Sequence, residues 1–160
     1  MSKAPMARAI QQRTLQTRAK LLASATALIA EVGYEAVRVD EIVTRAGVAK
    51  GTFFAHFKDK DALKDQLIGA EIDRHLDAIE SLSAPKTVVQ MVDALMPLME
   101  FMTCERYVFD VILRHSGAAA STAIGPIATT FGRHVDVVAN WLSNQPFRKD
   151  ISPELQAEGV

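Results

Sequence analysis

The chain has 160 residues, 49% hydrophobic and 23% charged, with a formal net charge of −1; it can bury a core, which excludes a disordered tail, a fibrous repeat or a multidomain enzyme. Cys104 is the single cysteine and the four histidines are scattered, so neither a disulfide framework nor a zinc staple is expected, and no metal or cofactor is implied. No apolar run approaches the ~18 residues of a membrane-spanning helix, and residues 1–13 mix Lys3, Arg8 and Arg13 with polar residues instead of forming a signal peptide; the expected setting is cytoplasmic, with no membrane partner.

The small net charge hides an asymmetry. Residues 1–60 hold ten Lys or Arg against five Asp or Glu, a balance of +5, and the remainder balances at −6. A basic head of residues 1–60 on an acidic body of residues 61–160 suits a nucleic-acid-binding module joined to something with another task.

In chain order, the apolar spacing of Leu15, Leu22, Leu28 and Ile29 predicts a helix from about Gln11 to Val32, ended by Gly33. Val39, Ile42, Val43 and Ala46 form a short amphipathic helix ended by Gly47, and a further short helix runs from Lys50 to Phe57. Two short helices around a glycine turn make a helix-turn-helix. A polar junction, Lys58-Asp59-Lys60-Asp61, precedes a long helix carrying Leu63, Leu67, Ile72, Leu76 and Ile79, broken by Ala84-Pro85. Helices follow over about Thr87 to Met102, Glu105 to His115 and Pro126 to Ser143, with a small-residue loop from Ser116 to Ser121. No segment alternates with period two as a strand does, so the fold class is all-α.

The turn carries the chemistry. Val39, Ile42, Val48, Phe53 and Phe57 are expected to share a small core with the first helix, leaving Lys50, Thr52, Phe54, Ala55 and His56 facing outward. An outward Phe54 beside Lys50 suits a major groove: Lys50 donates to guanine, Thr52 reaches a phosphate or base edge, and Phe54 and Ala55 meet thymine methyls. Gly33-Tyr34, Ile42, Ala46-Gly47-Val48-Ala49-Lys50-Gly51-Thr52-Phe53-Phe54, Phe57, Lys60 and Leu63 together resemble the DNA-binding domain of the TetR (tetracycline-repressor-like) family of bacterial regulators. The resemblance implies that Lys50, Gly51, Thr52, Phe54, Ala55 and His56 lie on a recognition helix. It makes Lys60 a phosphate contact and places Arg38 and Arg45 on the DNA side. Three positions depart from the family pattern: Arg38 stands where Ser or Thr commonly caps the second helix, Ala49 replaces a Ser cap, and Phe54 replaces a Tyr. Each loses a polar group that caps a helix or meets phosphate.

In the acidic part, the expected lining of an apolar ligand cavity comprises Met96, Met99, Met102, Tyr107, Phe131 and Trp141, with His115 and His134 to orient a polar end. Pro97 is expected to kink its helix. Asp110, His115 and Ser116 lie together on one helix without a nucleophile elbow or oxyanion loop, so no enzyme activity is expected. The resulting expectation is a ligand-responsive regulator, a repressor that binds a near-palindromic double-stranded DNA operator as a homodimer and is released by a small hydrophobic effector. The alternative is a helical small-molecule-binding protein whose head has lost operator recognition.

Near the end, Ser152, Pro153 and Glu154 read as the cap and first turn of another helix. Members of the resembled family usually continue through two further helices that make the dimer. The expectation is therefore a chain either truncated at Val160 or dependent on another surface, a weak dimer or a monomer prone to association, with surplus apolar area on the exposed faces of the Pro126 to Ser143 helix.

Overall fold

The computed structural model describes residues 4–116, 125–144 and 147–160. The loop expected from Ser116 to Ser121 lies, beyond Ser116, outside them. Among the described residues the secondary structure is entirely helical: α1 (Ala4–Ala36), α2 (Val39–Ala46), α3 (Lys50–His56), α4 (Lys60–Glu80), α5 (Val88–Thr103), α6 (Arg106–Ser116), α7 (Pro126–Asn144) and α8 (Pro153–Ala157). The chain divides into two units, residues 1–67 and 68–160. The first unit takes two turns of α4 with it, because Leu63 is buried in its core and Leu67 packs against that core.

In the first unit, Leu21, Ala25 and Leu28 of α1 bury one face against Ile42 and Val43 of α2, Phe53 and Phe57. That i, i+4, i+7 spacing is what a helix needs to keep one side on a core. The helix breaks where its end is expected: Gly33 has φ 81 and ψ 166, a kink within α1 after which helix resumes to Ala36. It begins seven residues earlier than expected, at Ala4, in a stretch with no apolar face to announce it.

In the second unit, α4 contributes Ile68, Ile72, Leu76 and Ile79, α5 contributes Met91, Leu95 and Leu98, and α6 contributes Val108, Val111 and Ile112. Thr87 caps α5 by accepting from the Gln90 N–H, and α5 runs unbroken through Pro97. The His75 ring of α4 stacks on Phe101 of α5 at 5.5 Å. Gly69 of α4 lies against the start of α7, where an added Cβ would come within 3.2 Å of the Pro126 backbone.

Helix α7 is the most buried element, with Ile127, Thr130, Val137, Val138, Trp141 and Leu142 inside. Helix α8 packs on it, as a five-residue helix must pack on something to persist. Ser152 caps α8 by accepting from the Leu155 N–H, Pro153 opens it, and Ala157 is buried. Lys149 closes the end of α7 by donating to the carbonyls of Leu142 and Ser143 at 2.9 and 3.0 Å. The expectation of surplus apolar area on α7 is corrected by this packing, since its exposed positions are Pro126, Thr129, Gly132, Asp136, Asn140, Ser143 and Asn144. The exposed large apolar side chains of the second unit include Val88, Val89, Val92 and Met96 on α5 and Phe109 and Leu113 on α6.

Candidate nucleic-acid interface

The interface is built on the α2–α3 turn. Gly47 adopts φ 67 and ψ 37, the left-handed conformation that ends a helix without steric cost, and the Val48 N–H reaches back to the Val43 carbonyl at 3.0 Å. At the other end of α2, the Arg38 guanidinium offers only donors and cannot cap. The Glu41 carboxylate instead accepts the Arg38 backbone N–H at 3.1 Å, which satisfies one amide at that end. Ala49 stands at the cap of α3 in extended conformation with no side-chain hydrogen bond.

Two aromatic anchors hold α3. Phe53 is fully buried and Phe57 nearly so, their rings 5.4 Å apart, while Phe54 meets Phe53 edge-on and leaves 51% of its surface in solvent. Lys50, Gly51 and Ala55 are exposed, and Thr52 and His56 are half-buried. The structure thus brings Lys50, Gly51, Thr52, Phe54, Ala55 and His56 onto one short helix whose opposite side is locked into the core.

The arginine of α1 that fixes this helix escaped the sequence reading. Arg18 donates to the His56 carbonyl at 2.7 Å and to Gln66, and its guanidinium lies 4.3 Å over the Phe57 ring. It ties the end of α3 to α1 and α4 at once. Asp59, also missed, caps α4 by accepting the Ala62 N–H at 2.7 Å, which puts Lys60 in the first turn. One turn later Lys64 is almost wholly buried; burial, with Lys60 adding repulsion, pushes its pKa down to about 8.

Two of the expected DNA contacts carry carboxylate partners. Lys50 pairs with Asp40 at 2.7 Å, and Arg45 makes a two-pronged pair with Glu31 at 2.6 and 2.8 Å. The hydrogen bonds from Arg45 hold the Glu31 carboxyl below its usual pKa. Both pairs are solvent-exposed and therefore weak.

The eight residues expected to line a cavity are less convergent. Trp141 is buried, Met99, Met102, Tyr107, His115, Phe131 and His134 are half-buried, and Met96 is 43% exposed. Trp141 shares a recess of about 160 Å³ with Glu80, Asp136, Val137 and Asn140, and it alone of the eight lines that recess. His134 stands out, because its Nε2 is buried without a hydrogen-bond partner and burial holds its pKa below the usual value.

Taken together, the first unit carries a helix-turn-helix with an outward polar and basic side, and the second is a separate helical unit. Residues 21–67, the helix-turn-helix and its flanks, match the family model described as "Bacterial regulatory proteins, tetR family". It is 39% identical over 77 residues to the Transposon Tn10 TetC protein of Escherichia coli, a match covering 48% of this chain and 37% of that one. It is 31% identical over 101 residues to the uncharacterized HTH-type transcriptional regulator YvdT of Bacillus subtilis (strain 168), covering 62% and 52%. The chain thus spans between about a third and a half of the length of these curated relatives. Its fold is that of Thermus thermophilus FadR, a TetR-family transcriptional repressor solved with lauroyl-CoA. The TM-score is 0.59 at 18% identity, over 89% of this chain and 76% of that one.

Proposed function

We propose that the chain is a DNA-binding transcriptional regulator, a repressor whose dimer sets two α3 helices into successive major grooves of a near-palindromic operator and which a hydrophobic ligand in the body releases. The observation that carries the reading is the division of labour within α3. Phe53 and Phe57 are buried to fix the helix, while Lys50, Thr52 and Phe54 project from it with the chemistry of base-edge contact. Lys60, in the first turn of α4, supplies the backbone contact. For the ligand, the fold shared with a repressor solved with lauroyl-CoA makes a fatty acyl thioester the first probe. Release follows only if that ligand prefers one head spacing over another.

Selection of bound sequences from a random DNA pool tests the reading. The expected result is a two-fold-symmetric site with half-sites about one helical turn apart. Lys50→Ala is expected to cost ~1–3 kcal/mol and relax one position of that site, whereas Lys60→Ala weakens all sequences alike and lowers the salt slope by about one. A pool that shows no enrichment would favour the alternative, a ligand-binding protein whose head, lacking polar caps at Arg38 and Ala49, no longer reads DNA.

A further inference from the structure

Thirty residues pass before the chain carries an acid: Lys3, Arg8, Arg13, Arg18 and Lys20 precede Glu31, with no Asp or Glu among them. Helix α1 is already formed at Ala4 but buries its first side chain only at Leu21. At 1.5 Å per residue the thirteen residues from 4 to 16 extend about 20 Å. Their described side chains are exposed, Met6 at 74%. This stretch adds nothing to the core of its unit, and a helix of that length is marginal on its own.

Its polar side chains are not scattered. Arg8, Gln12, Gln16 and Lys20 recur every four residues and so form one stripe along the helix, with Arg13 beside it. A shallow groove of about 420 Å³ runs along the same side, between Arg8, Gln11, Gln12, Leu15, Gln16 and Ala19. The root of the stretch is fixed by Arg18, which donates to the His56 carbonyl at the end of α3 and covers Phe57. The extension therefore leaves the unit beside the last residue of the helix assigned to the major groove.

We propose that this extension is a second nucleic-acid contact, an arm whose Arg8, Arg13 and Lys20 charges and Gln12 and Gln16 amides bind the phosphates flanking the groove entered by α3. The inference rests on the DNA-binding reading above. A stripe of cations and amides without a single carboxylate fits a polyanion, and phosphate contacts of this kind set affinity and register, not sequence.

The test uses the full chain and an operator drawn from the random pool, titrated between about 50 and 200 mM salt. Replacing Arg8, Arg13 and Lys20 together by Gln keeps the helix-forming character and removes three charges. The slope of log affinity against log salt is expected to become shallower by about 2–3 for each bound protomer, with operator and unrelated DNA losing affinity by the same factor, at least about tenfold at the lower salt. Gln12→Glu with Gln16→Glu, which places acid in the stripe, is expected to weaken both DNAs without changing the selected sequence. An unchanged slope in the triple variant, while the wild-type chain still selects its operator, overturns the arm and leaves the DNA-binding reading intact. If that variant keeps its DNA slope but loses adsorption to vesicles of anionic phospholipid, the arm belongs to a lipid surface and the inference is equally overturned. A wild-type chain that selects no operator overturns both readings.

Discussion

The two units solve opposite problems with the same element. In the first, the informative side chains point outward from short helices, and the inward side is a small aromatic core of Phe53 and Phe57 braced by Arg18. In the second, the long helix α7 is surrounded, and its chemistry is turned inward: an unpartnered His134 nitrogen and a buried Trp141. On the proposed function, a surface that meets a large rigid partner has to be presented by a stiff backing, whereas a site for a small molecule has to be enclosed. The contrast predicts that damage to the first unit's core is felt as loss of presentation, and damage to the second as loss of enclosure.

The sharpest way to break the comparison is Phe53→Ala. Removing a fully buried aromatic ring is expected to cost ~3–5 kcal/mol and to unfold the first unit, visible as loss of amide protection in residues 21–67 while α7 keeps its own by hydrogen exchange. Equal loss in α7 would show that the units do not melt separately.

Next in size is the buried lysine. Lys64 has a folded-state pKa of about 8 against an ordinary 10.5, so its ammonium is a burden wherever both states are charged, below pH 8. That burden lifts as pH rises from about 8 towards 10.5. Lys64→Met is expected to stabilise the first unit by on the order of 2–3 kcal/mol at pH 7 and to abolish the rise, measured by urea unfolding at pH 7 and pH 10. Instability of the Met variant at pH 7 would mean that the ammonium is held by bonds worth more than its desolvation.

A smaller gain is expected from Ala49→Ser, whose hydroxyl would cap the free end of α3: about 1 kcal/mol in stability, with tighter DNA binding as a consequence. Thermal unfolding that leaves the variant unchanged or less stable would show the extended Ala49 backbone to be unsuited to a cap. The smallest effect belongs to the second unit. The His134 pKa is depressed by burial, so an unfolded chain takes the proton first as pH falls below 6.5 and stability drops there; His134→Gln is expected to flatten that decline in melting temperature between about pH 7 and 5. A decline as steep in the variant would assign it to other groups.

Much of the first unit was legible because its signals are local. Gly33, Gly47 and the Phe53/Phe57 pair act on neighbours within a turn, so spacing reveals them; Ser152 and Pro153 announced α8 for the same reason. Arg18 was not legible, since its partners His56 and Gln66 lie 38 and 48 residues away and nothing local marks a basic residue as a brace. The early start of α1 carries no cap or apolar stripe to be read. Periodicity also shows which side of a helix is apolar but not whether another helix will cover it. That is why the exposed apolar positions fell on α5 and α6 rather than on α7, which α4, α6 and α8 surround. The ligand-lining set is the least legible for the same cause. Composition marked Met96 and Met99 as adaptable, yet only the packed chain tells that one is exposed and the other half-buried.

One contact within the second unit bears on the helix that runs from one unit into the other. Arg133 of α7 binds Asp73, Asp77 and Glu80 of α4 at 2.9, 2.5 and 2.6 Å. Those three carboxylates sit at i, i+4 and i+7, so on α4 alone they form a ridge of like charge that works against the last two turns of the helix. A single guanidinium answers three anions and leaves the ridge under-neutralised. The length of α4 is thus set partly by a side chain sixty residues further on, and a displacement of α7 that withdrew Arg133 would let α4 unwind from its far end, shortening the helix without touching its packing in the first unit.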